Sequence, residues 1–527
     1  MHWSRVISRN AFYYPREVAI VRGKRTLTFE ELDRRANRIT CLLADIGIAR
    51  GDRVALLSHN TIEFVELLFG AWKMGVSVVP INFRSSPQEI QHYVGFSGSK
   101  ALFVGESYIP AVVPVIDSLK NLKKILCFND VGDSLSSSLL PAQVEDYETF
   151  IGRYDGNRID VSNLDEEEEA LLIFTSGSTG APKAVSTTHR MQAANAICFA
   201  YEFGIKGPDN NSPPGDATLM VTPLYHLGAL TFMLSHFMTG ASTVIFEKPA
   251  FDPGVCLEVM SREKVTCLYM PNRPWLLILN SPGLHAHDWS ALRNLVLGSE
   301  SVPLALIEQM RKAFSGVKIS NVYGLTESSG CSVLYLRDKD SAKAPSVGKP
   351  FLNVWSRVVD FDGMDVAPGQ VGEIILKGDQ IVKGYYNNPA LTKEAFQDGW
   401  FYTGDLATVD EEGFVTIVGR KKDMYISGGE CIYPLEIEEV LFKHPKILEA
   451  AVVGIADKTW GEAGVAVIVV KPGEQMQPED VVSYLQGQIA RFKVPKRVHF
   501  MGSLPRNASG KLAKVALREE LCKIYND

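Results

Sequence analysis

Three polar stretches hold residue types suited to handling a polyphosphate. The first, Thr175 to Lys183, reads TSGSTGAPK. Hydroxyls at Thr175, Ser176, Ser178 and Thr179 are interleaved with Gly177 and Gly180, and Lys183 closes the run. Glycine accepts positive φ, so successive N–H groups can turn into one concavity, while hydroxyls and an ammonium add donors to an anion held there. Such a loop is a phosphate cradle. Its lysine follows Ala-Pro, which separates it from the Walker pattern, where lysine follows glycine and precedes Ser or Thr. An ordinary polar turn between strand and helix would need the same residues only to reverse the chain.

The second stretch, Asn321 to Glu327, reads NVYGLTE. Tyr323 offers a flat ring to a base, and Gly324 admits a close ligand backbone. Thr326 and Glu327 add a hydroxyl and hard carboxylate oxygens of the kind Mg²⁺ takes beside a phosphate. The plainer reading is a strand-to-helix turn capped by Thr326. The third stretch runs FQDGWFYTGD from Phe396 to Asp405, then EGFVTIVGR from Glu412 to Arg420. A carboxylate such as Asp405 accepts both hydroxyls of a ribose, and Arg420 can donate to the same sugar. A turn aspartate after Gly404 is the simpler alternative. Lys421, Lys422 and Asp423 follow, then Gly428-Gly429 with Glu430, a run that fits either a solvated linker or a hinge. Near the end, Lys511 follows Ser509-Gly510 on an expected exposed loop, where a lone lysine ordinarily aids solubility.

The elements that would place these residues can be read from periodicity. Ala170 to Phe174 is a candidate buried strand ahead of the cradle, and a helix is expected from near Met191. Thr28 with Glu31 forms a capping box before Leu32, Ala36, Ile39 and Leu43 at helical spacing. Val54 to Leu57, a helical stretch from about Thr61 to Met74, and Val76 to Val79 imply right-handed βαβ units on a mostly parallel sheet. The alternation resumes from Gly215 to Leu334, with strands expected at Val265 to Met270 and Leu295 to Leu297. After Pro345, short runs such as Val354 to Val359 and Gly372 to Leu376 alternate with turns, which suits a small β-barrel or β-subdomain. Beyond Arg420 a last unit has its own strands, Ala450 to Ile455 and Val465 to Val470, and a helix from Pro434. The expected fold is α/β, with a large N-terminal domain over 1–420 and a smaller α+β domain over 421–527.

At 527 residues the chain exceeds one ordinary core. Hydrophobic residues at 46% and charged ones at 22% describe a soluble globular protein. A net charge of -7 without a long Lys/Arg run argues against a nucleic-acid partner. No apolar run approaches the ~20 residues of a transmembrane helix, and neither terminus reads as a secretory or peroxisomal signal, so a cytoplasmic location is expected. The 8 cysteines form no CxxC pair and no cluster with histidine, which argues against a zinc or disulfide framework and for buried apolar thiols. Cys331 and Cys431 lie near the motifs but lack a local histidine or helix start to lower the thiol pKa.

Taken in order, TSGSTGAPK, YGLTE, YTGD, GRKKD, SGGE and NASGK resemble the motif series of the adenylate-forming superfamily, which includes acyl- and aryl-CoA synthetases. The resemblance covers nearly the whole chain. It implies that ATP, Mg²⁺ and coenzyme A serve a two-step ligation of a carboxylic acid through acyl-AMP. The cradle would hold the β- and γ-phosphates, Thr326 the α-phosphate, and Glu327 the metal. Tyr323, beside Gly324, would stack on adenine, and Asp405 and Arg420 would bind ribose. Lys511 would bridge carboxylate and α-phosphate during adenylation. A mobile C-terminal domain would turn about Lys422, bringing Gly429 and Glu430 toward the thiol tunnel. His226 in TPLYHLGAL matches a gate beside the acyl pocket, with Gly228, Gly298 and Gly324 as neighbours. The apolar residues Leu224, Leu227, Leu230 and Phe232 favour a fatty or aromatic acid. The resemblance also allows a homodimer.

Three sites depart from the family pattern. Ala184 replaces the glycine usual after the cradle lysine, and Cys431 replaces a common Asn. Ser299 and Glu300, in LGSES, stand where relatives carry small residues lining adenine and acyl group. Two other functions fit the same resemblance: an acyl-AMP ligase that loads a carrier protein, for which a fused carrier domain would be the mark and none follows Lys511, or a non-catalytic nucleotide-binding relative.

Overall fold

The computed structural model describes residues 1–130, 141–175, 183–209, 215–300, 302–330, 334–344, 346–506 and 512–525. The capping box forms as read: Thr28 accepts the Glu31 N–H, and the Glu31 carboxylate accepts the Thr28 N–H at 2.8 Å. The helix it opens, Phe29–Asp45, buries Leu32, Ala36, Ile39 and Leu43 completely. The strand Arg53–Leu57, the helix Ile62–Trp72 and the strand Ser77–Ile81 then make a βαβ unit, with Val54 opposite Val78 in a parallel pair.

Among the described residues the strands form four sheets. The first has seven strands, in spatial order Val144–Asp146, Lys124–Phe128, Ala101–Gly105, Arg53–Leu57, Ser77–Ile81, Glu169–Thr175 and Lys183–Thr188. Its last strand corrects the sequence reading, which led from the cradle straight toward a helix. Lys183–Thr188 instead folds back antiparallel on Glu169–Thr175, with Thr175 opposite Lys183, and the helix His189–Glu202 starts afterwards. The segment after Lys183 reads AVSTT, in which Val and Thr prefer a pleated surface, and Ala184 and Val185 are buried there.

The second sheet has nine strands, and at its centre Lys318–Tyr323, Asn294–Gly298, Cys267–Met270 and Ala217–Met220 run parallel as neighbours. Their carboxyl ends lie side by side, which is where parallel α/β sheets bind ligands. The third sheet is antiparallel. In it the long strand Trp400–Val409 pairs along one edge with Gly372–Gly378, and along the other with both Phe396–Gln397 and Val415–Arg420. This is the small β-subdomain expected after Pro345, built from antiparallel pairs.

The fourth sheet holds Glu430–Ile432, Tyr425–Ser427, Gly461–Val470 and Ile447–Asp457, with Arg497–Phe500 added in parallel. It has its own core, including Tyr425, Ile437, Val452 and Ile468, and the helix Pro434–Leu441 packs into it. The chain passes from the third sheet to the fourth between Arg420 and Tyr425. Gly428 and Gly429, at φ 61° and 88°, close the two-residue hairpin between Tyr425–Ser427 and Glu430–Ile432. Two successive positive φ angles fit a primed turn, so the pair is required locally whether or not the chain hinges there.

Candidate active site

Tyr323 ends its strand at the carboxyl edge of the nine-stranded sheet, and Gly324, Leu325 and the short 3-10 turn Thr326–Ser328 continue from it. The turn is bolted to the helix His189–Glu202. Buried Gln192 donates to the Ser329 carbonyl at 3.1 Å, and buried Asn195 donates to the Ser328 carbonyl at 3.2 Å. The Thr231 hydroxyl adds a third bond to Ser329 at 3.2 Å. The sequence reading passed over Gln192 and Asn195. Their signal was two amides three residues apart on a helix face that also carries Met191, Ala193, Ala196 and Phe199.

Asp405 and Arg420 face each other across an antiparallel pair. The Arg420 Nε lies 2.9 Å from one Asp405 oxygen, and the Tyr323 hydroxyl donates to the other at 2.7 Å. Asp405 is 3% exposed, so its charge is matched within the protein. Burial, then the Asp405 charge, raises the Tyr323 pKa well above the usual phenol value. The Asp405 carboxylate raises that of Arg420. Tyr323, Asp405 and Arg420 therefore make one bonded group drawn from two sheets.

A second group gathers around the cradle's end. The Lys183 ammonium lies 5.2 Å from the centroid of the Tyr385 ring, and the Tyr385 hydroxyl donates to Glu327 Oε1 at 2.7 Å. Tyr385 reaches this position because its backbone bridges Val185, while the Tyr386 N–H donates to the Ala184 carbonyl at 2.8 Å. Ala184 is thus a buried strand residue whose carbonyl holds the Tyr385-Tyr386 segment. The backbone of Glu327 is fixed as well, accepting the Val382 N–H at 2.9 Å. Tyr385 was not singled out in the sequence; a double tyrosine after Gly384 was the only sign. Lys422, in the turn after Arg420, lies within electrostatic reach of Asp405 and Lys183. Partial burial first, then the Arg420 charge, lowers its pKa.

The neighbouring strand ends carry the remaining candidates. Ser299 takes φ 74°, and its hydroxyl is 2.6 Å from that of Tyr269. The Glu300 carboxylate accepts the Asn272 N–H at 2.9 Å, at the start of the helix Asn272–Leu279, so this departure from the family pattern caps that helix from the bend after the strand Asn294–Gly298. A Cβ on Gly298 would meet the Val322 carbonyl at 2.7 Å, so glycine there reflects close strand packing. His226 is half-buried ahead of the helix Leu227–Thr239, with Gly228 in its first turn, and its ring meets that of Tyr225 at a tilt, 4.3 Å between ring centroids. Gly429 and Glu430 are exposed in the fourth-sheet hairpin. Ser176, Gly177, Ser178, Thr179, Gly180, Cys331 and Lys511 lie outside the described residues.

Among the described residues no cluster of three or more His, Cys, Asp or Glu could by itself hold a metal ion. A single carboxylate beside a phosphate site still suits Mg²⁺, which takes one or two protein oxygens and completes its shell with phosphate and water. Glu327, held by the Tyr385 hydroxyl, offers one such carboxylate.

A profile described as AMP-binding enzyme matches residues 7–386, and one described as AMP-binding enzyme C-terminal domain matches residues 436–511. The chain belongs to the AMP-binding enzyme family, within the adenylate-forming superfamily that its motifs resemble. It is 32% identical over 518 residues to the fatty acid–[acyl-carrier-protein] ligase ScoC of Streptomyces coeruleorubidus, covering 97% of this chain and 95% of the relative. Identity to the feruloyl-CoA synthase of an Amycolatopsis species is also 32%, over 510 residues and 97% of each chain. Among solved structures, the anthranilate CoA ligase AuaEII in complex with anthranoyl-AMP superposes with a TM-score of 0.88 at 26% identity, covering 99% of this chain and 97% of that one.

Proposed function

We propose that the chain is an ATP-dependent carboxylate–CoA ligase that forms an acyl-AMP and then an acyl-CoA thioester, with a fatty or aromatic acid as substrate. The observation that carries the reading is the convergence of Lys183, the Tyr385–Glu327 pair and the Tyr323–Asp405–Arg420 group from four separate segments. A triphosphate repels an incoming carboxylate, so a ligase must screen that charge and hold the attacking and leaving oxygens in line.

In this reading the loop 175–183 and Lys183 receive the β- and γ-phosphates, and the Thr326 hydroxyl meets the α-phosphate. Asp405 and Arg420 hold the ribose and keep the nucleotide in register. Mg²⁺ bound to Glu327 would neutralise part of the phosphate charge. The substrate carboxylate attacks the α-phosphorus, the bond to the β-phosphate oxygen breaks, and pyrophosphate leaves with that electron pair. The thiol sulfur then attacks the acyl carbon, AMP departs, and the thiol proton passes to solvent. Lys511 is assigned to the first step. Gly429 and Glu430 are assigned to the second, with Lys422 at the turn between a domain over 1–420 and a mobile one over 421–527.

His226 and the apolar side chains after it are assigned to the acyl pocket. The acceptor has a second reading with specific support: one relative transfers to an acyl carrier protein. Purified chain given ATP, Mg²⁺ and a panel of fatty, aryl, dicarboxylic and amino acids should release pyrophosphate with fatty or aryl acids. Coenzyme A should then yield thioester faster than a phosphopantetheinylated carrier does. Absence of acyl-AMP with every acid would end the ligase reading, and faster loading of the carrier would move the acceptor. A cytoplasmic homodimer belongs to the same proposal, checked by fractionation and by the mass of the purified chain in solution.

A further inference from the structure

Tyr385 stands between the two opposite charges at the phosphate edge of the site. Its hydroxyl donates to Glu327 at 2.7 Å, and the Lys183 ammonium sits against its ring at 5.2 Å from the centroid. The residue is buried and tightly held. Its N–H donates to the Thr392 hydroxyl at 2.9 Å, its backbone bridges Val185, and its ring meets the Phe396 ring edge-on. With main chain and ring both fixed, the hydroxyl keeps one direction, toward the carboxylate.

Direct contact between Lys183 and Glu327 would make an ion pair. Each group would satisfy the other, and the pair would have to be broken before either could meet a ligand. A neutral phenol avoids this. Its hydroxyl gives the carboxylate a charge-assisted hydrogen bond, while its negative ring face holds the cation. Among the described residues no ion pair joins Lys183 to Glu327.

We propose that Tyr385 is a positioning residue that aims the Glu327 carboxylate at the metal and keeps it apart from Lys183, leaving one group for Mg²⁺ and the other for phosphate. The inference rests on the ligase reading, because it takes Glu327 and Lys183 as the receivers of metal and phosphate.

The test is metal binding rather than turnover. Mn²⁺ is titrated by electron paramagnetic resonance onto the full chain saturated with a non-hydrolysable ATP analogue. Tyr385→Phe keeps the ring and loses only the hydroxyl. It should weaken Mn²⁺ binding about tenfold, while binding of the analogue in EDTA changes less than about twofold. In a Glu327→Gln background the same substitution should add little, since the carboxylate it serves is gone. Unchanged Mn²⁺ affinity in Tyr385→Phe, or an equal loss in both backgrounds, would overturn the assignment. A residue that merely supported the fold would lower Tm without moving the metal titration. A wild-type chain that binds neither analogue nor metal would remove the ligase reading, and this inference with it.

Discussion

His2 and His189 form a pH-sensitive contact at the level of single residues. Their rings stack at 3.5 Å between centroids, and both are fully buried. The His2 Nδ1 accepts the Ser4 N–H at 3.3 Å and so caps the helix Trp3–Tyr13. Burial first, then the Arg5 charge, lowers the His2 pKa to about 3, and burial lowers that of His189 well below the ordinary value. The unfolded chain binds these protons near pH 6.5, and the folded chain does not until far lower. Their contribution to stability is therefore fully present above about pH 6.5 and is lost as pH falls toward 3. His2→Asn keeps a side-chain oxygen for the cap and removes one titrating ring. Between pH 7 and pH 5, its loss of unfolding free energy should be smaller than that of wild type by about 2 kcal/mol. Urea midpoints at the two pH values check this, and an unchanged difference would refute it. At the same scale, Asp405 and Arg420 drew notice by chemical type alone, and the structure pairs them across neighbouring strands. Tyr385, Gln192 and Asn195 did not, because each acts through a partner far away in sequence, and side-chain type alone does not name that partner.

Elements were read best where local chemistry decides them. The capping box at Thr28, the helix from Pro434 and the runs at Val54, Val354 and Val465 each carry their own signal, and each forms. Lys183–Thr188 was missed because its pairing is set by the strand before the cradle, and its five residues after the lysine are too few to show a period. The Gly428-Gly429 pair fitted either a linker or a hinge in the sequence, and the hairpin uses both glycines to turn. That distinction yields a prediction. A Cβ on Gly429 meets nothing within 4 Å, so Gly429→Ala strains only the backbone at φ 88°. The strain should cost about 1 kcal/mol and tilt the Glu430 strand. Thioester formation from supplied acyl-AMP should slow about tenfold, while acyl-AMP formation stays within about twofold of wild type. Stopped-flow measurement of each half-reaction decides the matter, and equal slowing of both would remove the hairpin from the second step.

Across the whole molecule, the groups assigned to the nucleotide come from three sheets, and the fourth sheet carries none of them. Lys511 falls in the chain that follows the fourth sheet, after Arg497–Phe500 and before the helix Lys514–Tyr525. A lysine delivered by a separate unit can serve one step and be withdrawn for the next, which a lysine on the nucleotide sheets could not do. Electrostatic help at a developing charge is typically worth a few kcal/mol, so Lys511→Ala should slow acyl-AMP formation by about 10² or more. Thioester formation from supplied acyl-AMP should persist, the reverse of the Gly429→Ala pattern. Opposite losses in two variants of one small unit would mean that it presents different faces to the two half-reactions. Parallel losses would mean that the unit holds one arrangement throughout, and the separation of steps between its lysine and its hairpin would have to be abandoned.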